Sequence, residues 1–353
     1  MAKIQVAVLG ATGMIGQRFV QLLEDHPWFE IGGLYASERS EGKRLREVMR
    51  VKDIRLKEET LERRIEQLDA KAIAGRCRVA FSGLPTEVAK DTESTLAEAG
   101  VAVFSNAASH RMRDDVPLLI PEVNPEHLDL IKGQATYGNG GFIVTNANCS
   151  TTGLAVPMKA LDVAYALRFV CVSTYQAVSG AGYPGVPSLD ILGNVVPHIR
   201  NEEEKMEIEM HKMLGRMTPK GVVNANFDMV ASCARVPVID GHTESVVLQM
   251  EKSPSVTEII ATLKAFQPAP QELHLPTAPT QAIIVRMEDD RPQPLCDAYA
   301  GEPARARGMA VSVGRVRQSG KYTKLWLISH NTLRGGAGGS VINAELAKAK
   351  GYL

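Results

Sequence analysis

The sequence has no excess of charge of either sign and few aromatic residues. Forty Lys and Arg residues balance forty Asp and Glu residues, and aromatic side chains make up 5% of the 353 residues. Nucleic-acid binding usually needs a net positive field and rings on which bases stack. The composition therefore argues against a nucleic-acid partner, and chemistry on a small-molecule substrate is the expected class of function.

Long apolar runs and paired cysteines are also missing. No apolar stretch approaches the roughly 20 residues that span a bilayer, and no apolar leader precedes the first strand. Five cysteines are an odd number and include no C-x-x-C pair, which argues against a disulfide framework and a zinc site. We expect a cytoplasmic protein that contacts no membrane and needs no metal.

The chain begins with a strand, a glycine turn and a helix. The apolar strand Lys3 to Leu9 runs into Gly10-Ala11-Thr12-Gly13-Met14-Ile15-Gly16, and an amphipathic helix follows. Glycines let a backbone approach a pyrophosphate, and the helix N-terminus supplies N–H donors and positive potential. The spacing is G-x-x-G-x-x-G, so a purely structural turn remains an alternative. In this context the turn favours dinucleotide binding at Gly10 and Gly13.

The second strand, Ile31 to Tyr35, bears on the choice of dinucleotide. It ends in Ala36-Ser37-Glu38-Arg39-Ser40, with Ser37 where an NAD enzyme usually carries an acid for the ribose hydroxyls. Hydroxyls beside a guanidinium suit a 2'-phosphate, so Ser37, Arg39 and Ser40 favour NADP. Glu38 weakens this interpretation, and a charged surface loop is the alternative.

Further strands continue the pattern. After a charged segment from Lys52 to Lys71, read as a solvated excursion, the strand Val79 to Phe81 leads to Ser82-Gly83, and Val101 to Phe104 leads to Ser105-Asn106. Ligand sites of a parallel sheet lie at the carboxyl ends of its strands. We expect Ser82, Gly83 and Asn106 to line the cofactor crevice.

The second half is richer in strands without intervening helices. The predicted strands are Leu167 to Val178, Met229 to Val238, Thr243 to Glu251, Ala282 to Met287, Met309 to Val316 and Thr323 to Ser329. The fold class is therefore α/β: a doubly wound parallel (Rossmann) domain plus an α+β domain with a mixed or antiparallel sheet. We expect residues 1–149 and 332–353 to form the first domain and residues 150–331 the second. One face of the second sheet would carry substrate groups, and the other could pair subunits.

Cys149 is the candidate nucleophile. It follows the apolar strand Phe142 to Val144 and stands at the predicted start of a helix. Unpaired N–H groups and the helix dipole favour a thiolate at such a position. Cysteine is also a common buried residue, so a core position is the alternative.

Three features of the second half could complete a site around this thiol. His242 begins a strand, where an imidazole can carry protons, and Arg235 can bind a carboxylate through two hydrogen bonds. Glu202 and Lys205 are three residues apart, so they share a helix face and could hold a zwitterionic or phosphorylated substrate. The alternatives are a structural histidine and a solvated ion pair.

Taken together, several motifs resemble those of the aspartate-semialdehyde dehydrogenase family, in particular its archaeal and fungal branch. The resemblance covers essentially the whole chain. It rests on the segments Gly10 to Gly16, Ser105 to Met112, Pro117 to Asn124, Asn148-Cys149-Ser150, Gln176 to Gly182 and Glu202 to Lys205, and on Arg235 followed seven residues later by His242.

The resemblance implies roles for individual residues. Cys149 would attack the acyl carbon, His242 would be the acid/base, and Gln176 would orient the acyl-enzyme. Arg235 would bind the substrate carboxylate and Glu202 its amino group. Lys205, Arg111 and Asn148 would bind phosphate, and Thr12, Gly13, Met14, Ile15, Ser179, Gly180 and Asn331 would contact the cofactor.

The resemblance further implies NADPH-dependent reductive dephosphorylation of aspartyl phosphate through a thioester, in a homodimer or homotetramer. A malonyl-CoA reductase of the same superfamily is the nearest alternative, but it needs no phosphate pocket and no Glu202 for an amino group. N-acetyl-glutamyl-phosphate reductase has no substrate cation for Glu202. An NADP-sensing or redox-sensing protein would have no reason to combine His242, Arg235, Lys205 and Arg111.

Overall fold

The computed structural model describes residues 2–353, and its chain divides into two compact units. The first unit contains the residues up to Leu119, together with Glu126–Ala147 and Gly336–Leu353. The second contains Ile120–Pro125 and Asn148–Gly335. Within residues 2–353 no helix combines the length and the apolar character that crossing a membrane requires.

The first unit is built on a parallel sheet of six strands. In chain order they are β1 Ile4–Leu9, β2 Phe29–Ala36, β3 Ile65–Gln67, β4 Val79–Ser82, β5 Ala102–Ser105 and β6 Phe142–Thr145. The spatial order is β3-β2-β1-β4-β5-β6, which is the doubly wound arrangement of dinucleotide-binding domains. The strands β1, β4, β5 and β6 are apolar and almost wholly buried, as expected for a sheet covered on both faces.

Helices surround this sheet. They are α1 Met14–Leu23, α2 Leu45–Val48, α3 Glu58–Leu61, α4 Ala70–Arg76, α5 Thr86–Glu98 and the C-terminal α12 Gly338–Ala349. The last helix packs against α1 and β5, so this unit is formed from both ends of the chain. The strand β3 lies in the charged segment that the sequence indicated as a solvated excursion, and this interpretation was wrong for Ile65, which is buried against Leu34 of β2.

The second unit contains a mixed sheet. Its strands are β7 Leu167–Gln176, β10 Asp228–Arg235, β11 His242–Met250, β12 Ile283–Val285, β13 Val311–Ser319 and β14 Tyr322–Ser329, and β8 Arg216–Thr218 with β9 Gly221–Val223 forms a separate hairpin. The order is β10-β7-β11-β14-β13-β12, with β10 parallel to β7 and β11 antiparallel to both β7 and β14. Together the two sheets confirm the predicted fold class.

One face of the mixed sheet is covered by helices. The helices of this unit are α6 Cys149–Tyr165, α7 Ser188–Ile191, α8 Glu202–Met213, α9 Val256–Lys264, α10 Ala269–Glu272 and α11 Pro294–Asp297. Of these, α6, α8 and α9 pack on the sheet. Along β7 the residues Val170, Val172 and Thr174 are buried, whereas Tyr175 is exposed. This alternation with period two leaves the other face of the sheet open.

Candidate active site

The ends of three neighbouring strands meet at one edge of the mixed sheet. Arg235 is the last residue of β10 and lies opposite Gln176, the last residue of the parallel strand β7. The next strand, β11, runs the other way and starts with His242, beside the Thr243 and Tyr175 pair. Parallel and antiparallel pairing therefore bring two strand ends and one strand start together. All three side chains are buried.

The nucleophile candidate lies at the N-terminus of α6, as the sequence predicts. Asn148 is the residue before this helix, and its side-chain oxygen accepts from the N–H groups of Ser150 at 2.9 Å and Thr151 at 3.1 Å. Side-chain capping of this kind stabilises a helix start. Cys149 is the first helical residue and is half-buried. The core alternative for this cysteine therefore does not describe its environment.

Cys149 and His242 face each other. The sulfur lies 3.3 Å from Nε2 of His242. The other ring nitrogen, Nδ1, accepts the backbone N–H of Ala177 at 3.1 Å. A ring nitrogen that accepts an N–H carries no proton of its own. In the neutral ring the hydrogen-bond network therefore assigns the proton to Nε2. Nε2–H then donates to the sulfur.

Electrostatics also favours a neutral imidazole. His242 is fully buried, and burial lowers its pKa well below the usual 6.5. The positive charge of Arg235 lowers the pKa further, and His330 has a smaller effect in the same direction. Burial disfavours the charged form of histidine. The side chain that faces Cys149 is therefore an uncharged donor at neutral pH.

Ala177 also positions the arginine. Its carbonyl oxygen accepts from Nη1 of Arg235 at 2.8 Å, while its N–H is bound to His242. Gly180 lies above both side chains, and a Cβ atom there would be 2.7 Å from Nη1 of Arg235 and 3.0 Å from the ring of His242. A side chain at position 180 would therefore displace the guanidinium of Arg235. Burial lowers the pKa of Arg235 from its usual 12.5, while nearby Cys149 and Glu202 oppose that shift.

A carboxylate organises two amides beside the thiol. Oε1 of Glu202 accepts from the side-chain amides of Asn148 at 2.8 Å and Gln176 at 3.1 Å. Glu202 is the first residue of α8 and is buried, whereas Lys205 on the same helix is half-buried. The structure thus brings Cys149, Asn148, Gln176 and Glu202 together in one unit.

The predicted cofactor contacts of this unit lie next to the same edge. Nδ2 of Asn331 donates to the hydroxyl of Ser179 at 2.7 Å, and its Oδ1 accepts from the N–H of Gly241 at 2.9 Å. Gly241 precedes His242 in the chain. Asn331 therefore connects the Ser179-Gly180 segment with the turn that leads to the histidine.

The first unit contains the glycine turn. It connects β1 with α1, and Gly13 is the residue before the helix. Gly10 has a positive φ of 74°, and a Cβ there would lie 2.8 Å from the carbonyl oxygen of Gly83. A Cβ on Gly16 would lie 2.0 Å from the carbonyl oxygen of Gly10. These close approaches exclude side chains at Gly10 and Gly16 and let the turn lead tightly into the N-terminus of α1, whose N–H groups suit a pyrophosphate.

The other predicted cofactor residues of this unit follow neighbouring strands. Ser82 is the last residue of β4 and Gly83 follows it, and the N–H of Asn106, just after β5, donates to the carbonyl of Ser82 at 3.0 Å. Beyond β2, Ser37 and Arg39 are exposed and Ser40 is half-buried in a 3-10 turn, Glu38–Ser40. Thr12, Met14 and Ile15 lie within the turn and the first residues of α1.

Arg111 belongs to the first unit. It is 8% exposed, and its Nη2 donates to the backbone carbonyl of Asn106 at 2.8 Å. Within residues 2–353 there is no group of three His, Cys, Asp or Glu side chains that could hold a metal ion.

Four features of the site are not identified by sequence reasoning. The backbone of Ala177 holds both His242 and Arg235, and a Cβ on Gly335 would lie 2.7 Å from Cβ of Cys149. Glu209 accepts the N–H of Asn148 at 2.7 Å. It follows Glu202 by seven residues, and residues two helical turns apart share one face of a helix, so this spacing could have indicated Glu209 as a second site residue. Glu244 is fully buried, and burial raises its pKa well above 4.5.

Two family models match the chain. Residues 5–131 match the model described as "Semialdehyde dehydrogenase, NAD binding domain", and residues 158–334 match "Semialdehyde dehydrogenase, dimerisation domain". The matches cover most of the chain, so the oxidoreductase class and a nicotinamide dinucleotide cofactor are confirmed. The second match shows that this chain contains a domain through which subunits associate.

Individual relatives agree. An aspartate-semialdehyde dehydrogenase of Archaeoglobus fulgidus is 47% identical over 352 residues, covering 98% of each chain. One of Methanothermobacter thermautotrophicus is 46% identical, covering 97% of this chain and 98% of the relative. The crystal structure of the Candida albicans enzyme with NADP superposes with a TM-score of 0.90 at 39% identity, over 99% of this chain and 100% of that one. The chain belongs to the aspartate-semialdehyde dehydrogenase family, which confirms the resemblance found in its motifs.

Proposed function

We propose that this chain catalyses the reversible, NADPH-dependent reductive dephosphorylation of L-aspartyl-4-phosphate to L-aspartate 4-semialdehyde. The reaction belongs to amino-acid biosynthesis and leads towards lysine, threonine, methionine and isoleucine. The observation that carries the proposal is the contact of 3.3 Å between the Cys149 sulfur and His242, with Arg235 at the same edge of the sheet and Glu202 bound to Gln176 at that edge.

Cys149 is the proposed nucleophile. Its sulfur attacks the acyl carbon of the substrate, the C–S bond forms, and the C–O bond to the phosphate breaks. The phosphate leaves with the electron pair and takes one proton from solvent. The position at the α6 N-terminus favours the thiolate that this step requires. The product is a thioester on Cys149.

NADPH, when bound, supplies the hydride that reduces this thioester to the aldehyde. Reduction and collapse of the resulting oxyanion return a thiolate to Cys149. The Nε2–H of His242 faces that sulfur and stabilises its negative charge at the start and the end of the cycle. Because Nδ1 is already bound to Ala177, we propose that His242 acts mainly as a fixed hydrogen-bond donor.

The remaining polar side chains have proposed roles in substrate recognition. Arg235, buried and held by Ala177, binds the α-carboxylate through its guanidinium. Glu202 attracts the α-amino group and orients Asn148 and Gln176, and Gln176 positions the acyl carbonyl. Lys205, Asn148 and Arg111 bind the phosphate. These assignments follow the family resemblance together with the contacts described above.

NADP is the proposed cofactor, as in the Candida albicans crystal structure. Its pyrophosphate fits the Gly10 to Ile15 turn, whose first residue, Gly10, lies too close to the carbonyl oxygen of Gly83 to carry a Cβ atom. The exposed Ser37 and Arg39 and the half-buried Ser40 bind the 2'-phosphate, and Ser82, Gly83 and Asn106 line the crevice. Ser179, Gly180 and Asn331 would also contact the cofactor. As domain boundaries we propose residues 1–149 with 332–353 for the cofactor and 150–331 for the substrate. The compact units divide a few residues away, after Ala147 and after Gly335, and the second unit also includes Ile120–Pro125.

The assembly is proposed to be a homodimer, or a homotetramer made of two dimers. The open face of the mixed sheet supports this proposal because it presents Tyr175, stacked on Trp326 at 5.5 Å, and Val230, which is 48% exposed. Such exposed apolar faces are typical of interfaces. We further propose the cytoplasm as location, because a catalytic thiolate needs a reducing compartment.

The decisive experiment compares substrates. Purified protein with aspartate semialdehyde, phosphate and NADP should produce reduced nicotinamide, whereas malonyl-CoA with NADPH should give no consumption above background. Turnover of malonyl-CoA at a comparable rate would instead support the malonyl-CoA reductase. Dependence of the rate on the phosphate concentration distinguishes an enzyme from a cofactor-sensing protein, which would bind NADP without turnover.

A further inference from the structure

A buried glutamate lies under the loop that carries Arg111. Glu93 is on α5 and is fully buried. Its Oε1 accepts from the hydroxyl of Ser105 at 2.7 Å, and the same hydroxyl oxygen accepts the N–H of Ala107 at 3.0 Å. A serine hydroxyl has one proton. Because that proton points to Glu93, a lone pair of Ser105 is directed at Ala107.

The Ala107 N–H belongs to the same amide as the carbonyl of Asn106. That carbonyl accepts from Nη2 of Arg111 at 2.8 Å. A peptide unit is planar and rigid, so fixing its N–H also fixes its carbonyl. The series from Glu93 through Ser105 and the 106–107 peptide therefore fixes the direction of one hydrogen-bond acceptor of the Arg111 guanidinium.

Glu93 lies among other buried polar side chains of the same region. Its Oε2 lies 3.6 Å from Nε2 of His110, which is also buried and belongs to the same loop. Burial raises the pKa of Glu93 to about 7, although the hydroxyls of Ser82 and Ser105 act in the opposite direction. Burying a carboxyl group costs free energy unless hydrogen bonds compensate for the lost hydration. Without a role for these hydrogen bonds, an apolar residue at this buried position of α5 would stabilise the fold more than Glu93 does.

We propose that Glu93 and Ser105 are positioning residues that orient Arg111 for the phosphate of the substrate. The inference rests on the proposed function, since it takes Arg111 as a phosphate ligand. In the direction of aldehyde oxidation, phosphate is a substrate with its own KM. A defect in Arg111 placement is expected to raise that KM and leave the KM for NADP unchanged.

The test uses the full-length enzyme and steady-state kinetics with inorganic phosphate. Ser105→Ala and Glu93→Ala should each raise the KM for phosphate by roughly tenfold, the effect of one well-placed hydrogen bond. Glu93→Gln keeps an oxygen acceptor for Ser105 and should restore the KM to within about twofold of wild type. Asp91→Asn, an exposed change on the same helix, is the matched control.

A double-variant cycle separates orientation from general stability. Once Arg111 is replaced by Ala, the further change Ser105→Ala should have no additional effect on the KM for phosphate, because both act on one interaction. Additive effects, or an unchanged KM in Ser105→Ala beside a raised one in Arg111→Ala, would overturn the inference. An unchanged KM in Arg111→Ala would overturn the proposed phosphate role of Arg111 itself. Thermal unfolding confirms that each variant is folded.

Discussion

The backbone N–H of Ala177 donates to Nδ1 of His242, and this contact of 3.1 Å fixes which nitrogen faces the nucleophile. Nε2, 3.3 Å from the Cys149 sulfur, carries the proton of the neutral ring. Protonation to imidazolium would place a second N–H against that of Ala177. The geometry therefore favours a thiolate with an uncharged donor over a thiolate–imidazolium pair.

This geometry predicts how thiol reactivity depends on pH. The pKa of His242 is lowered well below 6.5, so its charge should not change near pH 6.5. We expect the rate of Cys149 alkylation by iodoacetamide to follow a single transition, that of the sulfur, across about pH 5.5 to 9. Mass spectrometry of the labelled peptide gives the rate. A second inflection close to 6.5 would contradict the neutral-donor assignment.

Stability should depend on the same residue. The pKa of His242 is lower in the folded than in the unfolded protein, so the unfolded state binds more protons as pH falls. The stability that His242 contributes is fully present above about pH 6.5 and declines below it. Urea unfolding at about pH 5.5 and 8 should show a smaller difference for His242→Gln than for wild type. Identical differences would indicate that the buried ring does not titrate in this way.

The thioester mechanism predicts an unequal response of two cysteines. Cys149→Ala should lower kcat by more than about 10⁴-fold, because the nucleophile is lost. Cys296→Ala is the matched control, since Cys296 is exposed and should leave activity within about twofold of wild type. Both rates are measured by absorbance of the reduced nicotinamide. Substantial turnover by Cys149→Ala would exclude covalent catalysis.

Glu202 should affect substrate discrimination more than thiol chemistry. Glu202→Gln removes the charge that would attract the amino group, and the KM for aspartate semialdehyde should rise by about tenfold or more. The alkylation rate of Cys149 should change less. Glu204→Gln, an exposed neighbour on the same helix, is the control. Equal losses in both measurements would assign Glu202 a structural role through Asn148 and Gln176.

Arg39 is predicted to select the cofactor. Arg39→Ala should lower the ratio of kcat/KM for NADP over NAD by about 10- to 100-fold, because a charge-assisted contact to the 2'-phosphate is lost. The exposed Lys43→Ala in the same segment controls for a general loss of positive charge. A ratio that stays constant in Arg39→Ala would indicate that Ser37 to Ser40 form a surface loop with no role in cofactor binding.

Parts of the fold follow from local patterns, and others do not. The buried strands β1 and β4 to β6 are apolar runs, and the strands around Cys171 and Val247 alternate, so their period could be recognised. The strand β3 has only Ile65 buried among charged neighbours, and pairing with β2 stabilises it. A strand that depends on its partner carries little signal of its own.

The sequence alone determined the fold class, the glycine turn, the helix start at Cys149 and the family, because these depend on local spacing and on motifs. The tertiary structure decided the hydrogen-bond partners of His242, the shared use of Glu202 by two amides and the burial of Glu93 against Ser105. Each of these depends on hydrogen bonds between residues that are separated in the chain. The directions of such hydrogen bonds are fixed only when strands and helices pack together, so no local sequence pattern contains them.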